Sequence, residues 1–238
     1  MLIFMFQTRS NKLERIDTGD YTTEEYERFL REISFINRYL GDVRALKQSL
    51  FREIEKKNLK EFSILDVGAG SGEFLREIAK FARKTNRKAR LHGLELNEIS
   101  AESILRESKD FAEINSIRGD ALKLPFAENS FDYTICSLFT HHFADEKIVE
   151  ILAEMNRVSR RGIFVIDLHR HPFAYFSYKV FCKTFRISKL VTEDGSLSVL
   201  RSFRIDELAR LAEEANLQNI EVKRVFPFRL VLNSSVGS

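Results

Sequence analysis

Asp66, Glu73 and three glycines between them are the residues whose spacing most narrowly defines a chemistry. They lie in and just after the run Ile64-Leu65-Asp66-Val67-Gly68-Ala69-Gly70-Ser71-Gly72. Glycine at alternate positions leaves the main chain bare, so a flat ligand can lie across it. A helix starting at that point aims its first N–H groups at the same ligand. The dinucleotide fingerprint G-x-G-x-x-G would need glycine at position 73, where Glu73 stands. Acids on either side of the turn are poor hosts for a pyrophosphate. They suit a nucleotide-like cofactor that carries an ammonium group.

A turn of this kind needs a strand before it and a helix after it. Ile64 to Val67 supplies the strand, and Phe74, Ile78, Phe81 and Ala82 recur on one helical face. The alternation continues, with strands expected at 62–67, 90–95, 115–119, 131–137 and 162–168. Helices are expected at 72–84, 98–110, 145–158 and 173–184. That rhythm implies parallel strands joined by right-handed crossovers, with ligands beyond the carboxyl ends. Two of those ends carry an acid. Glu95, followed by Leu96, can accept from both hydroxyls of a ribose, and Asp120, followed by Ala121, can accept from an exocyclic amine. Cys136 at a third end reads as a small buried hydrophobe.

Four of the five histidines, His141, His142, His169 and His171, fall just after the fourth and fifth strands. Imidazole titrates near neutral pH, so a histidine there can take a proton from a hydroxyl. His-His and His-x-His with no cysteine nearby fit no zinc spacing, and no metal is expected. Pro172 should open the next helix, in which Phe173, Tyr175, Phe176, Tyr178 and Phe181 crowd together. Upstream, residues 22–57 read as two helices, one with Tyr26 to Ile33 inward and one with Ile36 to Ile54 inward, the second open to a bend or interruption at Gly41-Asp42. Residues 1–20 read as irregular. Downstream, a helix over 203–215 precedes strand-like runs at 220–226 and 228–232, split by Pro227.

A length of 238 residues with 44% hydrophobic and 31% charged residues suits one α/β domain with decorated ends. No stretch is apolar for the length of a membrane span, and two cysteines make no disulfide framework. The cytoplasm is the expected location. A net charge of +3 is too small to imply nucleic acid. The basic runs at 83–90 and 157–161 should sit at the amino edge of the sheet, away from the ligand.

Leu65-Asp66-Val67-Gly68-Ala69-Gly70-Ser71-Gly72 resembles the first motif of the class I S-adenosylmethionine methyltransferases. Leu124-Pro125-Phe126-Ala127-Glu128-Asn129-Ser130-Phe131-Asp132 resembles the link before the fourth strand in their small-molecule branch, types 11 and 25. The resemblance covers residues 60–170 best. It implies a Rossmann-like, doubly wound, mostly parallel seven-stranded sheet with an antiparallel C-terminal strand pair. It implies a single domain over 1–238, with a helical lid at 1–58 and the cofactor-binding core at 59–238. S-adenosylmethionine (SAM) would be held by Asp66, Gly68, Ala69, Gly70, Gly72, Glu95, Leu96, Asp120, Ala121 and the main chain of Cys136. His141, His142 and His169 are then the candidate bases, and the acceptor a small aromatic or lipophilic hydroxyl compound. The alternatives are an RNA or protein methyltransferase and a non-catalytic SAM-binding protein. Ile135 rather than proline precedes Cys136, and the Asn/Asp-Pro-Pro-aromatic motif is missing, which both count against nucleobase chemistry.

Overall fold

The computed structural model describes residues 3–236. Its centre is a seven-stranded sheet in the order β3-β2-β1-β4-β5-β7-β6. The strands are β1 (Glu61–Val67), β2 (Lys88–Glu95), β3 (Ile114–Arg118), β4 (Phe131–Ser137), β5 (Ser159–Leu168), β6 (Glu221–Val225) and β7 (Arg229–Ser235). The first five pair in parallel, while β7 runs antiparallel to both β5 and β6. The expected doubly wound sheet with its antiparallel terminal pair is the observed one. No helix among the described residues is long and apolar enough to cross a membrane.

Side-chain alternation along the strands builds two cores. Leu65, Cys136, Val165 and Leu232 point to the face covered by α7 (Asp145–Arg157) and α10 (Ile205–Glu214). Ile64, Ile135, Ile166 and Val231 point to the other face, under α5 (Glu73–Lys84). The same face is covered by the helical stretch α3 (Asp42–Leu46), a π turn at Lys47–Phe51 and α4 (Arg52–Lys56). On the far side of β2, α6 (Glu98–Glu107) starts at Asn97, whose Oδ1 accepts from the N–H groups of Ile99 and Ser100.

A third, smaller cluster joins α2 (Thr23–Tyr39), α8 (Pro172–Thr184) and α9 (Lys189–Arg201) through Ile36, Tyr178, Cys182 and Val191. Three differences from the sequence expectation fall here. The interruption expected at Gly41-Asp42 is the break between the upstream helices, and no break precedes Ile36, which belongs to α2. Gly41 adopts φ +101°, and a side chain there would sit 2.6 Å from Pro227. The irregular N-terminal stretch contains one helical turn, α1 (Arg15–Thr18), whose first two N–H groups donate to Asp194. Helix α9 was not expected at all. Its inward face carries Asp194, Ser198 and Arg201 beside Val191, so no apolar stripe announces it.

Candidate functional site

Strand order reverses direction between β1 and β4, which opens a crevice at their carboxyl ends. A cavity of about 630 Å³ lies there. Its floor is the turn after β1. Gly68 and Ala69 donate their N–H groups to Leu94 O at 2.9 and 3.3 Å, tying the turn to the end of β2. Gly68, Gly70 and Gly72 all have φ between +57° and +78°, where residues with a Cβ are strained. A side chain at Gly70 would meet no atom within 4 Å, so the space above that residue is open. At Gly68 the ring of Phe139 fills that space instead.

Three carboxyl groups face this floor, of which Glu73 accepts from Ser34 Oγ at 3.0 Å. Asp66 is buried, and its Oδ1 has no hydrogen-bond partner among the described residues. Burial, and then the nearby charge of Glu95, pushes its carboxyl well above the ordinary range. Glu95 accepts from Gly70 N–H, yet burial still raises its carboxyl to about 7. An orphaned acid beside a second desolvated acid is an environment that a cationic group relieves. The donor set therefore fits a ligand that carries positive charge. From above, α2 closes this end: Tyr26 shares a 2.7 Å hydrogen bond with Ser100, and Tyr21 stacks on Tyr26.

The opposite end of the cavity holds the histidines. His141 Nδ1 lies 2.6 Å from Asp167 Oδ1, and Asp167 Oδ2 accepts from Thr140 Oγ1 at 2.7 Å. Burial would raise Asp167, but the charge of His141 and the hydrogen bonds from His141 and Thr140 hold it below the ordinary carboxylate range. His142 Nδ1 lies 2.8 Å from Asp17 Oδ1. A carboxylate at each Nδ1 orients both rings and leaves Nε2 as the nitrogen turned away from it. Glu14 Oε1 is 3.9 Å from His141 Nε2, and neither atom has a hydrogen-bond partner among the described residues. Burial lifts the Glu14 carboxyl to about 7. Donor atoms of Glu14, His141 and His142 fall within 4.8 Å of one another. Arg201 holds the arrangement together, donating to His141 O and His142 O and pairing with Asp17 at 3.1 Å.

Not every expected residue reaches the cavity. Asp66, Gly68, Ala69, Gly70, Glu95, His141 and His142 line it, and Gly72, Leu96, Asp120, Ala121, Cys136 and His169 do not. Asp120 is exposed at the end of β3, where its Oδ1 takes the Leu122 N–H at 2.9 Å. The Cys136 thiol is buried in the sheet core, and burial pushes it well up. Leu168 lines the cavity, so the extended chain turns the next side chain, His169, the other way. Burial, with Arg224 and His171 nearby, drops His169 to about 4. His171 caps α8 by accepting from Phe173 N–H. Sequence reasoning missed Glu14, Asp17 and Arg201, which no motif marks.

A model described as a methyltransferase domain matches residues 64–162, the stretch from β1 into β5 that forms the floor of this cavity. This stretch is a methyltransferase domain, and the enzyme is SAM-dependent. The methyltransferase is 26% identical over 231 residues to a demethylmenaquinone methyltransferase of Staphylococcus aureus strain MRSA252, covering 92% of this chain and 91% of the relative. Its fold matches a SAM-dependent methyltransferase from Aquifex aeolicus at TM-score 0.60 and 16% identity, covering 87% of this chain and 97% of the other. It also matches magnesium protoporphyrin IX methyltransferase from Synechocystis PCC 6803 with bound SAH, at TM-score 0.64 and 12% identity, over 94% of this chain and 100% of that one. The methyltransferase is of the small-molecule type.

Proposed function

We propose that SAM spans the carboxyl ends of β3, β2, β1 and β4, and that a hydroxylated aromatic acceptor fills the end near the histidines. In this reading the enzyme works in the cytoplasm as one domain, with residues 1–58 forming a lid over the core. Bound there, SAM supplies an electrophilic methyl group on a cationic sulfur. Asp66 takes the ammonium side, the Gly68–Gly70 main chain forms the floor, and Glu95 accepts the ribose hydroxyls. Asp120 and Ala121 flank the adenine one strand further out, since Gly119 N–H donates to Glu95 O and sets β3 beside the ribose end. Gly72 starts α5, and Leu96 and Cys136 lie outside the cavity, Cys136 supporting the end of β4 from behind.

His142 takes the acceptor's hydroxyl proton through Nε2, and Asp17 steadies the imidazolium that results. His141, fixed by Asp167, and Glu14 position His142 and exclude water. SAM held at the glycine turn would supply its methyl group to the freed oxygen, while His142 keeps the proton. His169, with its depressed pKa and its place outside the cavity, is not assigned to this step. The acceptor is aromatic and lipophilic because Phe29, Leu30, Ile33, Phe143, Val199 and Phe228 line the space beyond the acids. The name of the Staphylococcus aureus relative supports a quinone-like ring.

One observation carries this reading: the orphaned, buried Asp66 carboxyl beside Glu95 at the edge of an open glycine turn. Tritium-labelled SAM incubated with small molecules, RNA and protein tests it. Label should enter a lipophilic hydroxyaromatic fraction, and product NMR should place the methyl on oxygen. Label in RNA or protein would overturn the acceptor class, and a ring-carbon methyl would overturn the assignment to oxygen.

A further inference from the structure

From Leu168 to Thr192 the chain contains no acidic residue. Helix α8 occupies the middle of this stretch. Ala174, Tyr178 and Cys182 form its buried stripe. Its opposite side leaves Phe173, Phe176 and Val180 in solvent, with Phe173 72% exposed. Lys179 and Lys183 stand among these apolar side chains, and Arg186 follows just beyond the helix. Lys183 and Arg186 form no ion pair among the described residues. The apolar surface continues onto α2, where Phe35 lies 5.5 Å from the Phe185 ring and 5.0 Å from Tyr39. Monomeric soluble proteins seldom leave this many contiguous rings bare without a partner for them.

The surface adjoins the cavity. Ser177 and Tyr178 of α8, and Asn37 and Leu40 around the end of α2, line it, so both helices bury one side in the cavity wall. Phe226, in the turn between β6 and β7, lines the cavity and is 74% exposed. The cavity thus opens beside the same aromatic surface.

We propose that α8, the end of α2 and the β6–β7 turn dock this enzyme on an anionic membrane surface, where a lipophilic acceptor enters the cavity directly. Exposed aromatic rings interleaved with lysine and arginine on an acid-free α8, with the neighbouring Glu32 of α2 engaged by Arg28 and the Ser188 N–H, match the boundary between charged headgroups and acyl chains. A second copy fits less well, because a two-fold contact would bring the same cations face to face. The proposal builds on the lipophilic acceptor reading but is read out without turnover.

The test is cosedimentation of the full chain with phosphatidylcholine vesicles, with and without phosphatidylglycerol. Binding should require the anionic lipid and weaken as salt rises. The triple variant Phe173→Ser, Phe176→Ser, Val180→Ser should bind at least about tenfold more weakly. Titration with S-adenosylhomocysteine should show that this variant is folded, with unchanged cofactor affinity. Lys183→Glu with Arg186→Glu should also lose the anionic preference. Wild-type protein left in the supernatant, or a triple variant that binds as well as wild type, would overturn the proposal. So would a sedimentation-velocity dimer that the triple variant dissolves. If vesicles bind but only water-soluble acceptors are methylated, the acceptor reading fails while the docking surface stands.

Discussion

Cofactor affinity should rise with pH, because Glu95 must be ionised to accept two ribose hydroxyls. Its carboxyl sits at about 7 in the free protein. The ionised fraction is then about one in eleven at pH 6 and about ten in eleven at pH 8. If only that form binds tightly, the apparent Kd falls about tenfold between those values, or ~1.4 kcal/mol. Near pH 7, binding should release about half a proton from Glu95. Replacing the acid by Glu95→Gln removes a hydrogen bond to a charged acceptor, worth ~1.5–3 kcal/mol, and abolishes that share of the slope. Asp66→Asn combined with Glu95→Gln should flatten the slope further than Glu95→Gln alone. Isothermal titration with S-adenosylhomocysteine, in buffers of different ionisation enthalpy, measures both affinity and proton release. A wild-type affinity that does not change from pH 6 to 8, or a double variant that keeps the wild-type slope, would refute the reasoning.

Gly70→Ala should cost only ~1–2 kcal/mol of stability, from its left-handed φ of +57°, yet weaken cofactor binding by more, because its methyl enters the open space. Denaturant melts and titration calorimetry separate the two effects. His142→Asn should lower kcat by about 10²–10⁴, whereas His169→Asn should change it by less than about twofold. Steady-state rates with a model hydroxyaromatic decide this, and equal losses would contradict the assignment. Glu14 holds a proton in the folded state up to about 7 that the unfolded chain releases near 4.5. Its contribution to stability therefore falls as pH rises through that window, by ~1.4 kcal/mol per unit at most. Urea melts of Glu14→Gln should show a shallower decline than wild type over the same range.

The sequence was most readable where one physical rule dominated. Strand β1, its glycine turn and α5 could be placed because apolar periodicity and a left-handed main chain leave little choice of residue. Asp66 and Glu95 followed from the rule that ligands sit at carboxyl ends. Legibility failed where polar groups were buried. Helix α9 hides its inward face behind Asp194, Ser198 and Arg201, so its periodicity reads as solvent-facing. Glu14 and Asp17 reach the histidines only because Arg201 and Asp194 hold the N-terminal stretch in place, which is a tertiary fact. His169 was grouped with His141 by position along the chain, but one step along an extended strand reverses the direction of a side chain. Gly41 could be read as an interruption, but not the close approach of Pro227, 2.6 Å from where a side chain at Gly41 would sit.

The most direct measurement of the central claim is a crystal structure of the complex with S-adenosylhomocysteine. The account predicts the ribose hydroxyls on Glu95, the amino group on the Asp66 side of the glycine turn, and the sulfur directed toward His142. A nucleoside bound elsewhere, or bound here with its amino group turned away from Asp66, would contradict it.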